Sequence, residues 1–288
     1  TPASFSILSY LFPVNMLAKA APVSSTAWQI GAILGPAMGG FMYAWTDAPT
    51  SSAIVCVFMF ASIVFSSRLK PKPAYSSDSQ NEQSMFKRIG EGLKYVFQHK
   101  IILSAMTLDL FAVLFGGATA ILPAFASEVL HVGAVELGWL RAAPSAGSAI
   151  LLFLLSIKPP ETNTGRKLLW AVAAFGICMI GFSQSTHLWV SLIFLFASGA
   201  FDAVSVVIRS TILQIYTPDD MRGRVSAVNT MFVGSSNEIG AFESGTAARI
   251  FGTAPSVLIG GSLTILVVIM VTKFAPILRK LELKTLRL

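Results

Sequence analysis

The sequence predicts an all-α integral membrane protein. Of its 288 residues, 54% are hydrophobic and only 12% are charged, and the mean hydropathy is +0.69. Soluble domains carry about twice that fraction of charged residues. Long apolar stretches recur between short polar turns, and a stretch of about 20 apolar residues is long enough to cross a bilayer as a helix.

The apolar stretches predict eight membrane helices, whose ends are marked by prolines, glycines and charged turns. These predicted helices cover residues 26–45, 51–67, 101–125, 137–157, 167–182, 188–216, 225–251 and 256–274. The third of them is interrupted by Gly116, Gly117 and Pro123. The polar stretch 68–100 separates the second helix from the third, and residues 84–98 have the apolar spacing of an amphipathic interfacial helix. Residues 3–12 are too few to span, and we interpret them as the end of an earlier helix, before a turn between Pro13 and Pro22.

Basic residues are concentrated in alternate loops. If residues 68–100 face the cytoplasm, nearly all lysines and arginines do so, and the opposite loops hold essentially none. The exceptions, Arg141, Arg209 and Arg249, lie in helices or at their ends. The positive-inside rule then places both chain ends in the cytoplasm of a multi-pass inner-membrane protein. Because topology accounts for the net charge of +7, nucleic-acid binding is not expected.

The chain contains a weak internal repeat with a displacement of about 205 positions. Gly35 corresponds to Gly240 and Gly40 to Gly245, at similar places in the first and seventh predicted helices. Parallel repeats related by an axis along the membrane normal are a transporter architecture. The repeat predicts that the last six helices form one complete unit, and that eight of an expected twelve helices are present. The predicted domains are residues 1–67, the end of an N-terminal half, 68–100, a cytoplasmic linker, and 101–288, a C-terminal half.

A string of small residues dominates the first predicted helix. Gly31, Gly35 and Gly39 recur every four residues and therefore line one helix face. Such a face lets another helix approach closely in a bilayer. Pro36 lies among the glycines, followed by Gly40, and removes a backbone donor from the helix.

These features resemble the major facilitator superfamily, in particular its branch of drug:proton antiporters and siderophore exporters, which includes enterobactin exporters. The string from Gly31 to Gly40 is similar to the antiporter motif on the fifth helix of such exporters. Two basic turns resemble cytoplasmic loops to which the superfamily gives a gating role: Gly165, Arg166 and Lys167, and Arg222, Gly223 and Arg224. In the first of these turns, Thr162 stands where the superfamily has an acidic residue.

The resemblance implies a major-facilitator-type helical bundle, with this chain as its fifth to twelfth helices. It implies export of a small amphipathic organic compound, such as a siderophore or a drug, by alternating access coupled to protons. The expected partners are the lipid bilayer, the substrate and protons, with a monomer as the expected state and no cofactor. The fifth and eighth helices meet in this architecture, so Gly31, Gly35 and Gly39 are expected to face the small residues of 137–157: Ala143, Pro144, Gly147 and Ser148, beside Arg141.

Four ionisable residues within predicted helices are candidate coupling sites, because such groups are costly inside a bilayer. Asp109 either titrates protons or binds a cation, or it makes a structural hydrogen bond to a neighbouring helix. Asp202 and Arg209 share a helix face, where they form a polar stripe that binds substrate or relays protons. Alternatively, Arg209 pairs with Asp109 or extends to the inner lipid headgroups. Glu238 lies near the middle of its helix, where it either takes part in proton coupling or makes a buried interhelical hydrogen bond.

Other function classes have less support in the sequence. Glu128, His131 and Glu136 do not have the spacing of metal ligands, and we expect a solvated loop and no metal site. Cys56 and Cys178 are predicted to be buried thiols. No nucleophile elbow or phosphate-binding loop is present, so an enzyme is not expected. The alternative is a membrane protein of the same fold that binds or senses a ligand without transporting it.

Overall fold

The computed structural model describes residues 14–68, 85–157, 162–218, 221–279 and 281–282, without the side chains of 14–29 and 85–88. The predicted segment at 3–12, most of the polar linker and the tail after 282 lie outside these residues. The described helices are α1 (Val14–Trp45), α2 (Ala48–Ser67), α3 (Met85–Gln98), α4 (Lys100–Gly116), α5 (Leu122–Ala124), α6 (Ala134–Ile157), α7 (Thr164–Ser183), α8 (Leu188–Tyr216), α9 (Arg222–Phe251), α10 (Thr253–Phe274) and α11 (Pro276–Arg279), with a π turn at Phe125–Val129.

The observed helices follow the predicted ones closely, with one large difference at the start. Helix α1 begins at Val14 rather than at residue 26, so Pro22 lies inside it and the predicted turn is wrong. A proline inside a membrane helix is tolerated because neighbouring groups can satisfy the carbonyl that it leaves unpaired. Cys178 is buried as predicted, whereas Cys56 is exposed.

Five described helices are long and apolar enough to cross a membrane: α2, α6, α7, α8 and α10. Helix α4 passes the same test only together with α3, from which it is bent by 102° at His99. Helix α9 is long enough but carries serines and glutamates along its length. The described apolar part of α1, Ile30–Trp45, is short for a span.

Glycines bring α6 and α8 into very close contact. A Cβ atom at Gly147 would overlap the carbonyl of Phe196, and one at Gly199 would overlap the carbonyl of Pro144. Helices α7 and α10 approach each other similarly, since a Cβ atom at Gly261 would lie 2.9 Å from the carbonyl oxygen of Gly176. Small residues at helix contacts are the usual basis of packing in a bilayer, where lipid supplies no hydrophobic drive.

Helix α3 packs on the protein rather than only at the membrane interface. Val96 is fully buried against Val225 and Val228 of α9. The Tyr95 hydroxyl donates to the carbonyl of Tyr216 at 2.7 Å, at the end of α8. The amphipathic helix predicted at 84–98 is therefore confirmed as a helix, and its apolar side meets the ends of two bundle helices.

Candidate functional site

The candidate site is a cluster of ionisable side chains between α4 and α8. Helix α4 supplies Asp109, and α8 supplies Asp202, Ser205 and Arg209 on successive turns of one face. Asp109, Arg209 and Ser205 are buried and Asp202 is partly buried. These polar residues are surrounded by apolar side chains of α4, α7 and α8.

Asp109 and Arg209 form a direct ion pair, with side-chain exposures of 7% and 8%. Of the alternatives left open by the sequence, the pairing of Arg209 with Asp109 is the one observed. Burying an isolated charge is costly, and pairing with hydrogen bonding offsets much of that cost. The pair also joins α4 to α8, which otherwise share few contacts.

Asp202 lies beside this pair without joining it. Together with Asp109, Ser205, Phe175 and Phe201, it lines a cavity of about 10 Å³. Within the described part of the chain, the Asp202 carboxylate has no hydrogen-bonding or ionic partner. The cavity is close to the smallest space that can hold one water molecule and is far too small for an organic substrate.

The fourth candidate, Glu238, lies apart from the cluster. Helix α9 packs on α4 through Ser236, Gly240 and Ser244, which are buried. Glu238 lies off this face, is exposed, and has no ionic or hydrogen-bonding partner among the described residues. The structure therefore groups Asp109, Asp202 and Arg209 and separates Glu238 from them.

A second feature is the close contact between helices α1 and α6, which we call the seam. Its residues are Pro36, Ala37 and Gly40 of α1 and Ala134 and Gly138 of α6. A Cβ atom at Gly138 would lie 2.7 Å from the carbonyl oxygen of Pro36 and 3.2 Å from the Cα atom of Gly40. Phe41 and Trp139 close one side of the contact, edge to face at 5.8 Å between ring centroids.

The seam uses a different face of α1 from the predicted one. A Cβ atom at Gly31, Gly35 or Gly39 would meet no described atom within 4 Å. The expectation that these three glycines face α6 is therefore wrong, although the two helices do meet. The predicted partner residues Pro144 and Gly147 pack instead on α8. Both faces of α1 carry small residues, so spacing alone could not choose between them.

The two basic turns lie at the same end of the bundle. The amide of Gly165 donates to the carbonyl of Leu281 at 3.1 Å, while Arg166 and Lys167 are exposed. Arg222 and Gly223 begin α9, and a Cβ atom at Gly223 would meet no described atom within 4 Å. The Arg224 guanidinium contacts the Glu91 carboxylate of α3 at 2.9 Å. The gating role of these turns stays a prediction.

Sequence reasoning missed Glu91 and Gly138. Glu91 precedes the paired arginine by more than 130 positions, and nothing local in the sequence connects them. Gly138 was visible only as an isolated glycine in a predicted helix. At the opposite end of the bundle, Glu128 accepts from the Thr253 hydroxyl, and Glu136 accepts from the amide of Gly133. These acidic side chains thus have local structural roles.

Comparison with known proteins places this geometry in a family. The profile of the Major Facilitator Superfamily matches residues 1–241. The chain is 24% identical to the MFS-type transporter YfmI of Bacillus subtilis over 90% of its length, and 25% identical to the multidrug efflux pump Tap of Mycolicibacterium fortuitum over 91%. It is 22% identical to the enterobactin exporter EntS of Shigella boydii over 78%.

The aligned part of these relatives is 66%, 64% and 53% of their own length, so the chain spans between about half and two thirds of each. The family profile covers most of the chain, including both faces of α1, the polar cluster and the basic turn before α9. The all-α fold with several membrane-spanning helices agrees with it. This multi-pass membrane protein therefore belongs to the Major Facilitator Superfamily.

Proposed function

We propose that this chain is part of a proton-coupled secondary exporter of a small amphipathic organic compound. The observation that supports the proposal most directly is the Asp109–Arg209–Asp202 cluster between two helices of the bundle, in which the Asp109–Arg209 pair is buried and Asp202 is partly buried. Ionisable groups in membrane helices are commonly part of substrate paths or proton relays. The names of two relatives, an efflux pump and an exporter, support the outward direction of transport in this proposal.

In the proposed mechanism, Asp202 is the carboxyl that exchanges a proton. Asp109 is held by Arg209, whereas Asp202 has no ionic partner among the described residues and borders a water-sized cavity. Adding a proton to Asp202 removes a negative charge from the cavity that Asp202 shares with Asp109, the partner of Arg209, and removing the proton restores that charge. The change alters the electrostatic balance between α4 and α8 and so biases their arrangement.

The substrate itself would lie outside the cluster, in the central cavity between the two halves of the full-length transporter. Alternating access would rock these halves about the central site. The seam between α1 and α6 is then a contact across the halves, in which small residues allow close sliding. The membrane orientation expected from the basic loops places α3 and both basic turns in the cytoplasm.

The test is transport by the full-length protein in proteoliposomes, with a panel of fluorescent drugs and a catecholate siderophore. Asp202→Asn is expected to lower proton-driven transport at least tenfold. Substrate–substrate counterflow should stay unchanged, because it needs no net proton movement. Glu282→Gln, an exposed acidic residue away from the cluster, is the matched control and should transport normally.

Two results would overturn the proposal. Transport that is independent of the proton gradient would show that export is not coupled to protons. Unchanged transport after Asp109, Asp202 and Glu238 are all neutralised would show that these carboxylates do not carry the coupling. Saturable ligand binding without counterflow would instead favour a binding or sensing protein of the same fold.

A further inference from the structure

A groove between α7 and α10 opens on the outer surface of the bundle, near the end that carries the basic turns. Its volume is about 530 Å³. Leu169 and Trp170 form one wall, Ile265 and Ile269 form the other, and Arg166 and Arg279 stand at its basic end. Trp170 is 73% exposed, as expected of a side chain that faces lipid. The groove is thus apolar along its length and doubly cationic at one end.

The fold itself brings the two arginines together. After α10 the chain turns into α11, and the buried side chain of Leu278 holds this turn against the start of α7. The amide of Gly165 donates to the carbonyl of Leu281, and a Cβ atom at Gly165 would overlap the carbonyl of Leu278. Arg166 follows this contact directly and Arg279 follows Leu278, so the packing of the two backbone segments brings both arginines to the groove mouth.

Neither arginine has an ionic or hydrogen-bonding partner among the described residues. Two other arginines of the bundle are paired, Arg209 with Asp109 and Arg224 with Glu91. Arg166 and Arg279 carry like charges that line the same groove, so they repel each other. An anion between them would relieve that repulsion, and guanidinium groups suit phosphate because they can donate two parallel hydrogen bonds to it.

A second groove of similar size provides an internal comparison. It lies between α4 and α10, has a volume of about 540 Å³, and is lined by apolar residues with Ser104 and Thr107 as its polar members. Among the described residues, no charged side chain lines this second groove. Such a groove can accommodate any acyl chain but cannot distinguish headgroups, whereas the α7–α10 groove has the charge needed to do so.

We propose that the α7–α10 groove is a binding site for a phospholipid with an anionic headgroup. The acyl chains lie against Trp170 and the isoleucines, and the phosphate contacts Arg166 and Arg279. Basic pockets between membrane helices on the cytoplasmic side are a known way to hold anionic headgroups. The lipid comes from the leaflet at the basic end of the bundle, and the site is separate from the Asp109–Arg209–Asp202 cluster.

The experiment uses Trp170 as a reporter, because bromine atoms on acyl chains quench nearby tryptophans. The full-length protein is placed in phosphatidylcholine bilayers that contain increasing fractions of brominated phosphatidylglycerol or brominated phosphatidylcholine. The Trp170 signal is the difference between the parent protein and Trp170→Phe. We expect the parent to prefer the anionic lipid, with the preference falling about fivefold for each arginine removed in Arg166→Gln and Arg279→Gln.

Lys167→Gln with Lys273→Gln is the matched control, since it removes the same charge from the same end without altering a groove-lining residue. This control should keep the preference, and Arg166→Lys with Arg279→Lys should keep most of it. Equal quenching of Trp170 by the two brominated lipids in the parent would overturn the proposal, as would an equal loss in the lysine control. If the variant with both Arg166→Gln and Arg279→Gln fails to fold, the proposal is decided by comparing how the two brominated lipids quench Trp170 in the parent protein.

Discussion

The ion pair between Asp109 and Arg209 gives each of these two buried charges its counter-ion. Both side chains are less than a tenth exposed, and α4 and α8 have few other contacts. A buried pair often adds little net stability because removing both ions from water is costly. Losing one partner is different, since the other charge then stays buried and uncompensated.

At this scale we predict that Asp109→Asn destabilises the protein by about 3–5 kcal/mol, because Arg209 loses its counter-ion in the bundle interior. The double variant Asp109→Asn with Arg209→Met should regain most of that loss. The measurement is thermal unfolding of the purified protein in detergent. Asp202→Asn, in which no observed ion pair is broken, is the control. If the single and double variants are equally unstable, the pair is not what stabilises this contact.

At the scale of helices, backbone proximity determines which surfaces meet. The seam between α1 and α6 and the contact between α6 and α8 both depend on glycines at which a side chain would collide with the opposite backbone. Helix α6 therefore has two packing sides, with Gly138 towards α1 and Gly147 towards α8. Pairs of small residues allow such contacts because they remove the side chains that would separate the helix axes.

The seam predicts a specific cross-link. In a background with Cys56→Ser and Cys178→Ser, Gly40→Cys with Gly138→Cys should form a disulfide under mild oxidation. The helices must separate slightly to admit the two Cβ atoms, but the Cα atoms then stay well within the limit of about 7 Å for a disulfide. Gly35→Cys with Gly138→Cys lies on the same pair of helices but on the face that the sequence favoured, and should not cross-link. Mobility shift on a non-reducing gel reports both. Cross-linking of the Gly35 pair in preference to the Gly40 pair would reverse the assignment of the seam.

At the scale of the molecule, charge separates the two ends of the bundle. Arg166, Arg224 and Arg279 lie at one end, and Glu128 with Thr253 at the other. A difference of this kind determines orientation during insertion, because positively charged loops are retained in the cytoplasm. The chain ends and the basic turns are therefore expected on the cytoplasmic side.

Cysteine labelling tests this orientation. In the same cysteine-free background, Thr162→Cys at the basic end and His131→Cys at the opposite end are both exposed positions. A membrane-impermeant maleimide added to intact cells should label position 131 and reach position 162 only after the membrane is permeabilised. The reverse pattern would show that the bundle is inserted the other way round, and equal labelling of both in intact cells would indicate a failed insertion.

The sequence by itself determined the class of protein and most of its helices. Composition established a membrane protein, because so few charges and so many apolar residues are incompatible with a soluble surface. Apolar length gave α8 with its observed bounds, 188–216, and glycine and proline marked the break after α4. These properties are local, since each follows from residues that are neighbours along the chain.

Only the tertiary structure decided which residues meet. It paired Arg209 with Asp109, joined Arg224 to Glu91, and turned Gly40 rather than Gly35 towards α6. Helical periodicity places residues on faces, but the rotation of each helix is set by how closely its backbone can approach every neighbour at once. That requirement involves helices far apart in sequence, so spacing within one helix could not reveal it.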